Sequence, residues 1–228
     1  MSDDLNNYSD KEIVIITGCN SGIGFAIAEA LNEEYHVINI SNKPSKFDDL
    51  ICDISDACAL SFTIDELFAA LGDQMIFYLI NNAGIMPLEK DSVEHYDKVM
   101  NTNLRSAYQL STRLSDWIYG GIINISSVSA LTPVANDSIA YGLSKAGLIT
   151  LTTYLQKKYP KKSINCISPG FTEATNLVSG ETPQELIDSV PAKRECTPNE
   201  IAILVKYLLY EGNYIRGQNL IMDGGLTL

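Results

Sequence analysis

No stretch of this chain approaches the roughly 20 consecutive apolar residues that a membrane-spanning helix needs. Its first ten residues are acidic and polar, where a secretion signal would be basic and then apolar. A membrane span and export therefore drop out, and a cytoplasmic protein is expected. Basic charge is also scarce. Sixteen Lys and Arg stand against 28 Asp and Glu, for a formal net charge of −12, and the densest basic cluster is Lys157, Lys158, Lys161 and Lys162. Binding to a phosphate backbone needs a larger basic footprint, so no nucleic acid partner is expected. Cysteines number five, an odd count, and none lies in a C-x-x-C pair, so neither a disulfide framework nor a metal site is expected. Internal repeats and low-complexity tracts are missing too. What remains is 228 residues with 46% hydrophobic composition, ordinary for one globular domain. That domain is expected to fill residues 1–228, with residues 1–11 as a frayed leader.

The chain proper opens on a β-branched apolar run, residues 12–16, of the kind buried on both faces of a parallel sheet. Thr17-Gly18-Cys19-Asn20-Ser21-Gly22-Ile23-Gly24 follows at once, and residues 25–32 have helical composition. Strand, glycine-rich turn and helix in this order build a diphosphate site. Gly18, Gly22 and Gly24 allow the tight turn and a close backbone approach, and the helix start, with Asn20, Ser21 and Ile23 beside it, offers N–H groups to an anion. A second strand, residues 35–40, runs into Ser41-Asn42-Lys43-Pro44. An acid at that place accepts bonds from the ribose of NAD, whereas a basic residue accommodates the 2′-phosphate of NADP. Here the acid is missing, so Ser41 and Lys43 are assigned to the 2′-phosphate and NADP(H) is favoured over NAD(H). The connection to residue 50 is too short, and too broken by Pro44, for a crossover helix. A short strand end is read at residues 51–54, with Asp53 and Ile54 on the adenine side.

Further on, a helix over 56–71 closed by Gly72 and a strand over 75–80 lead into Asn81-Asn82-Ala83-Gly84, whose small residues permit close approach to a cofactor. One long helix is expected over 91–117, then a strand over 121–125 ending in Ser126-Ser127-Val128-Ser129. The run 139–159 reads as a helix carrying Tyr141 and Lys145. Four residues apart, the two side chains lie on one helical face, and a fixed cation beside a phenol favours the phenolate and tunes it for proton transfer. Alone the pair carries little; its company gives it weight. A strand at 163–167, a polar stretch at 175–197 read as a substrate lid, a helix at 199–211 and a strand at 219–222 complete the chain. Strands and helices alternating at this pitch specify an α/β fold, a doubly wound, mainly parallel seven-stranded sheet with helices on both faces.

Taken together, Thr17-Gly18-x-x-x-Gly22-Ile23-Gly24, Asp53, Asn81-Asn82-Ala83-Gly84, Asn103, Ser127, Tyr141-x-x-x-Lys145, Pro169-Gly170 and Asp223-Gly224-Gly225 resemble the short-chain dehydrogenase/reductase family, of the compact single-domain type. The resemblance implies a Rossmann fold and an NAD(P)-dependent oxidoreductase acting on a small alcohol or carbonyl substrate. It implies Tyr141 as general acid or base, Lys145 on the nicotinamide ribose, Ser127 on the substrate oxygen and Asn103 on a water reaching Lys145. It further implies Asn82, Ala83, Gly84, Pro169, Gly170 and Thr172 beside the cofactor, and a homotetramer or homodimer. Three residues, not the six of the enoyl-reductase branch, separate Tyr141 from Lys145. One possible specialisation is a 3-oxoacyl-carrier-protein reductase. A reading of another class is a non-catalytic dinucleotide sensor or scaffold. The sequence departs from the family at three points. Ser127 stands about one residue further from Tyr141 than is usual, which leaves Ser129 and Ser126 as further candidates. Ala174 stands where the family commonly has Thr, so Thr172 or Thr175 takes that contact. No helix follows the second strand. Met86, Ile139, Phe171, Leu177 and Val178 are expected to shape the substrate pocket.

Overall fold

The computed structural model describes residues 11–86, 92–134, 138–173 and 182–228. Strands β1 (Ile13–Thr17), β2 (His36–Ser41), β3 (Asp48–Ile51), β4 (Ile76–Asn81), β5 (Ile118–Ile125), β6 (Ser163–Pro169) and β7 (Asn219–Met222) form one sheet in the order β3-β2-β1-β4-β5-β6-β7. Every pairing is parallel. Parallel strands covered on both faces need apolar residues on both, which is why β1 reads Ile-Val-Ile-Ile without alternation. Val14 and Ile16 join Ile27, Leu31, Ile201 and Val205 beneath helices α1 (Gly22–Leu31) and α7 (Pro198–Tyr210). Ile13 and Ile15 join Leu60, Leu67, Leu110 and Leu155 on the other face, beneath α2 (Ala57–Leu71), α4 (Ser106–Arg113) and α5 (Ile139–Lys158).

Within this apolar sheet a few buried asparagines stand out. Asn81 and Asn124 face each other in register on β4 and β5. The Asn81 side-chain amide donates to Asn124 Oδ1 at 2.8 Å and to Ser111 Oγ at 3.1 Å, and Asn124 donates on to Thr152 Oγ1 at 2.8 Å. Sheet, α4 and α5 are tied together through this chain, directly behind the ends of the central strands.

Local chemistry explains most element ends. Asp56 caps α2, its carboxylate accepting from the N–H groups of Cys58 and Ala59, and Thr197 with Glu200 forms a reciprocal capping box on α7. Several boundaries differ from the sequence reading, among them the start of β5 at Ile118 instead of the expected residue 121. The third strand lies at Asp48–Ile51, before the expected 51–54, and Asp53 and Ile54 follow it in a turn. The long helix expected over 91–117 is α3 (Val93–Met100), a π-helical turn (Asn101–Arg105) and α4 in continuous succession, and it ends at Arg113. The described part of the expected lid holds a short helix, α6 (Gln184–Ser189), where the sequence has helical composition around Pro183 to Val190; Ala174, Thr175, Leu177 and Val178 lie outside the described residues, as does the leader up to residue 10. As expected, no helix joins β2 to β3.

Candidate active site

The carboxyl ends of β1, β4, β5 and β6 open into one cleft of about 1240 Å³. It is lined at one end by Gly18, Asn20, Ser21, Gly22, Ile23, Gly24, Ser41, Lys43, Asp53 and Ile54. Asn82, Ala83 and Gly84 form its middle, and Ser127, Tyr141, Lys145, Pro169, Gly170 and Thr172 the other end. Asn103 stands behind the wall, buried. Of the residues expected to shape a substrate pocket, Met86 and Phe171 line the cleft. Ile139 does not: it is 69% exposed at the start of α5, on the helix's outer side.

The glycine turn has left-handed backbone at Gly18 (φ +76°) and Gly22 (φ +56°). At Gly24 the reason is space: a Cβ would collide with the Gly18 carbonyl oxygen and the Asn82 side-chain amide. The Thr17 hydroxyl, at the end of β1, accepts from the N–H groups of Asn82 at 3.0 Å and Ala83 at 2.9 Å, while Asn82 Nδ2 donates to the carbonyls of Thr17 at 2.9 Å and Gly18 at 3.2 Å. The Asn82 side chain is thus a tie between β4 and the glycine turn. Helix α1 begins with no side-chain cap, unlike α2, and has no acid in its first turn. Gly22, Ile23 and Gly24 of its first turn line the cleft, and the unpaired N–H groups of a helix start suit an anionic diphosphate. These features fit a dinucleotide.

At the other end, Tyr141 is 5% exposed and Lys145 3%. Lys145 Nζ donates to the Ile125 carbonyl at 2.8 Å and lies 5.6 Å from the centre of the Tyr141 ring, as i,i+4 spacing on α5 dictates. Burial away from water disfavours the ammonium and pushes its pKa down to about 8, with the Cys166 thiol a lesser, opposing influence. The α5 backbone is anchored to β5 by Ser126 Oγ, which donates to the Lys145 carbonyl at 2.8 Å. That bond gives Ser126 a structural task. Ser127 is extended, with its hydroxyl donating to Ser129 Oγ at 3.0 Å and accepting from Ser129 N–H at 3.1 Å; both serines line the cleft.

Asn103 occupies the middle of the π-helical turn, a geometry recurrent at functional sites. Its Oδ1 accepts from Ile85 N–H at 2.8 Å, and its Nδ2 donates to the Ile85 carbonyl and to Ser144 Oγ, both at 3.0 Å. Gly84 leaves room between this amide and Lys145: a Cβ there would sit 3.3 Å from Nζ and 3.5 Å from Asn103 Oδ1. Sequence reasoning missed Ser144 and Thr17. Ser144 directly precedes Lys145 on the same helix and carried no signal of its own. Thr17 did carry one, as a hydroxyl at the joint between an apolar strand and a glycine turn.

Over nearly its whole length the chain is similar to known proteins. A family model described as Enoyl-(Acyl carrier protein) reductase matches residues 18–227. The 3-oxoacyl-[acyl-carrier-protein] reductase MabA of Mycobacterium tuberculosis is 31% identical over 94% of this chain and 92% of its own. The 3-oxoacyl-[acyl-carrier-protein] reductase FabG of Chlamydia muridarum is 32% identical over 98% of this chain and 100% of its own. Among solved structures, the ligand-free aldohexose dehydrogenase of Thermoplasma acidophilum superposes with a TM-score of 0.84 at 31% identity, covering 97% of this chain and 96% of that one.

Proposed function

The chain belongs to the short-chain dehydrogenase/reductase family, and from that premise we propose that its cleft interconverts an alcohol and a carbonyl with Tyr141 as general acid or base. The observation that carries this reading is the sharing of one cleft by the glycine turn and by Ser127, Tyr141 and Lys145. A bound nicotinamide cofactor supplies or takes up the hydride. The chain's own residues do the rest. Ser127 holds the substrate oxygen, and Tyr141 gives that oxygen a proton during reduction or takes one during oxidation. Lys145, desolvated beside the phenol ring, stabilises the phenolate and holds the nicotinamide ribose, and Asn103 helps hold a water that links Lys145 to solvent in the room left by Gly84. The Gly18–Gly24 turn would hold the diphosphate, with Pro169, Gly170 and Thr172 at the nicotinamide side.

For the cofactor we read NADP(H). Ser41, Asn42 and Lys43 line the cleft at the end of β2 with no acid among them, and Lys43 has no ion-pair partner among the described residues. For the substrate, the named relatives favour a 3-oxoacyl thioester, and the aldohexose dehydrogenase a sugar. A panel of ketones, sugars and 3-oxoacyl thioesters with the tighter cofactor separates the two. A homodimer or homotetramer goes with the reading, since Tyr108 on α4 and Leu143 and Tyr154 on α5 are exposed apolar surface. Light scattering would return two or four chains, and a monomer at micromolar concentration would overturn that part.

The test of the mechanism is Tyr141→Phe, which removes the proton and keeps the ring. Turnover should fall by roughly 100-fold to 10,000-fold, the share assigned to general acid catalysis. Cofactor binding, followed by fluorescence, should change little. Full turnover in the variant would remove Tyr141 from the role.

A further inference from the structure

Residues 42–47 join β2 to β3 without a helix, yet they are stitched to the protein: besides the pairing of Lys46 with Glu29 on α1, two side chains hold the loop by hydrogen bonds. From the glycine turn, Asn20 Nδ2 donates to the carbonyls of Lys43 and Pro44, both at 2.6 Å, and Asn20 Oδ1 accepts from the Ser41 hydroxyl. From β3, Asp49 accepts from Ser45 N–H at 2.6 Å and from Ser45 Oγ at 2.7 Å. Asp49 also accepts from Asn39 Nδ2 at 2.6 Å, and Asn39 Oδ1 in turn accepts from the Cys19 N–H at 2.9 Å. The side-chain amide of Asn20 and the carboxylate of Asp49 are therefore engaged within the protein. Neither acid of β3 lines the cleft, for Asp48 pairs with His36 Nε2 at 2.8 Å. What the stitched loop leaves facing the cleft at this end is Asn42 and Lys43.

We propose that Asn20 and Asp49 are positioning residues for cofactor choice: together they clamp residues 42–47 so that Lys43 is presented to the ribose 2′-position, and thereby set the preference for NADP(H). The proposal rests on the NADP(H) reading above. Its physical basis is preorganisation. A long lysine on an unsupported loop loses much of its contact's worth to ordering, and the clamp places that ordering in the folded protein before any ligand arrives.

The test is direct binding, by fluorescence or calorimetry, of NADPH, NADH and the fragments 2′,5′-ADP and ADP to the wild type and to Asn20→Ala, Asp49→Ala, Ser45→Ala and Lys43→Ala. The wild type should prefer the 2′-phosphorylated member of each pair. Each clamp variant should lower that preference by about tenfold, the worth of one charge-assisted hydrogen bond, while in Asp49→Ala and Ser45→Ala, whose residues lie outside the cleft lining, NADH and ADP change by less than about twofold on the same scale. Adding Asn20→Ala to Lys43→Ala should cost little more than Lys43→Ala alone, because the clamp acts through the lysine. Ser45→Ala keeps the test open should Asp49→Ala fail to fold with Asn39 left unpaired. A wild type without preference for NADPH overturns the cofactor reading itself. A wild type that prefers NADPH, with clamp variants that keep the preference or weaken both cofactors equally, overturns the clamp alone.

Discussion

Replacing Lys145 by methionine should abolish turnover in the presence of cofactor and at the same time make the cofactor-free protein more stable. The side chain is fully buried, and its ammonium is driven from the ordinary 10.5 down to about 8 by loss of water. At about 1.4 kcal/mol per pH unit, this corresponds to roughly 3 kcal/mol that folding spends on keeping the group charged. Methionine removes that cost but also the bond to the Ile125 carbonyl, worth about 1 kcal/mol. A net gain of about 2 kcal/mol is expected near pH 6. The sign of the pH dependence follows from the folded pKa lying below the unfolded one. Below pH 8 both states are protonated and the penalty is present in full. Between pH 8 and 10.5 the unfolded chain binds more protons than the folded one, so wild-type stability rises with pH and the advantage of Lys145→Met shrinks to near zero by pH 10. Urea denaturation at pH 6, 8 and 10, at fixed protein concentration and without cofactor, measures it. The single tryptophan, Trp117, packs 4.8 Å from the Phe68 ring and should report unfolding. Taking the difference between variant and wild type cancels the other titrating groups, provided the Tyr141 and Cys166 neighbours titrate alike in both. A variant less stable than wild type at pH 6, with a difference flat to pH 10, would refute the claim that burial leaves this ammonium poised near neutrality.

Two further outcomes follow from the geometry. Gly24→Ala places a methyl against the Gly18 carbonyl, which is backbone and cannot swing away. It should lower stability by about 1–3 kcal/mol, the usual cost of overpacking, and weaken NADPH and NADH alike, as melting and fluorescence titration would show; unchanged binding would mean the turn does not hold the diphosphate. Ser127→Ala should cut kcat by about 100-fold to 1,000-fold, as loss of an oxyanion donor does, whereas Ser129→Ala, which removes only the partner of Ser127, should cost less than about tenfold. The reverse order would make Ser129 the serine on the substrate oxygen.

Much of this architecture was legible because buried parallel strands announce themselves. The expected limits of β7 match the structure, and the expected ends of α2 and α5 fall within a residue of it, since apolar runs, an aspartate cap and a closing glycine each have a local cause. Strand β3 was misplaced because it is a short edge of sequence Asp-Asp-Leu-Ile, held by pairing to β2 and by Asp49 on Asn39 rather than by any apolar period. The π-helical turn escaped as well, for the spacing of side chains does not encode which carbonyl an amide will choose. At the site, the residues that share the cleft were readable from their motifs, but directions were not. Asn82 reads as a ligand contact, yet its amide points back at the glycine turn, and Ile139 reads as pocket lining, yet it faces outward. Spacing places a side chain on a face; packing decides what it meets.

The asparagine pair across β4 and β5 has a bearing on how the chain finds its own alignment. Slipping one of these isoleucine-rich strands by two residues would keep every apolar side chain on its correct face, so hydrophobicity alone does not forbid it. It would also break the Asn81–Asn124 bond and leave the buried Asn124 Oδ1 without its donor, at a cost of about 1–3 kcal/mol. The pair thus works as a key cut into an otherwise repetitive edge. It admits one alignment of the central strands, and with it the one arrangement in which the ends of β4 and β5 open together onto the cleft.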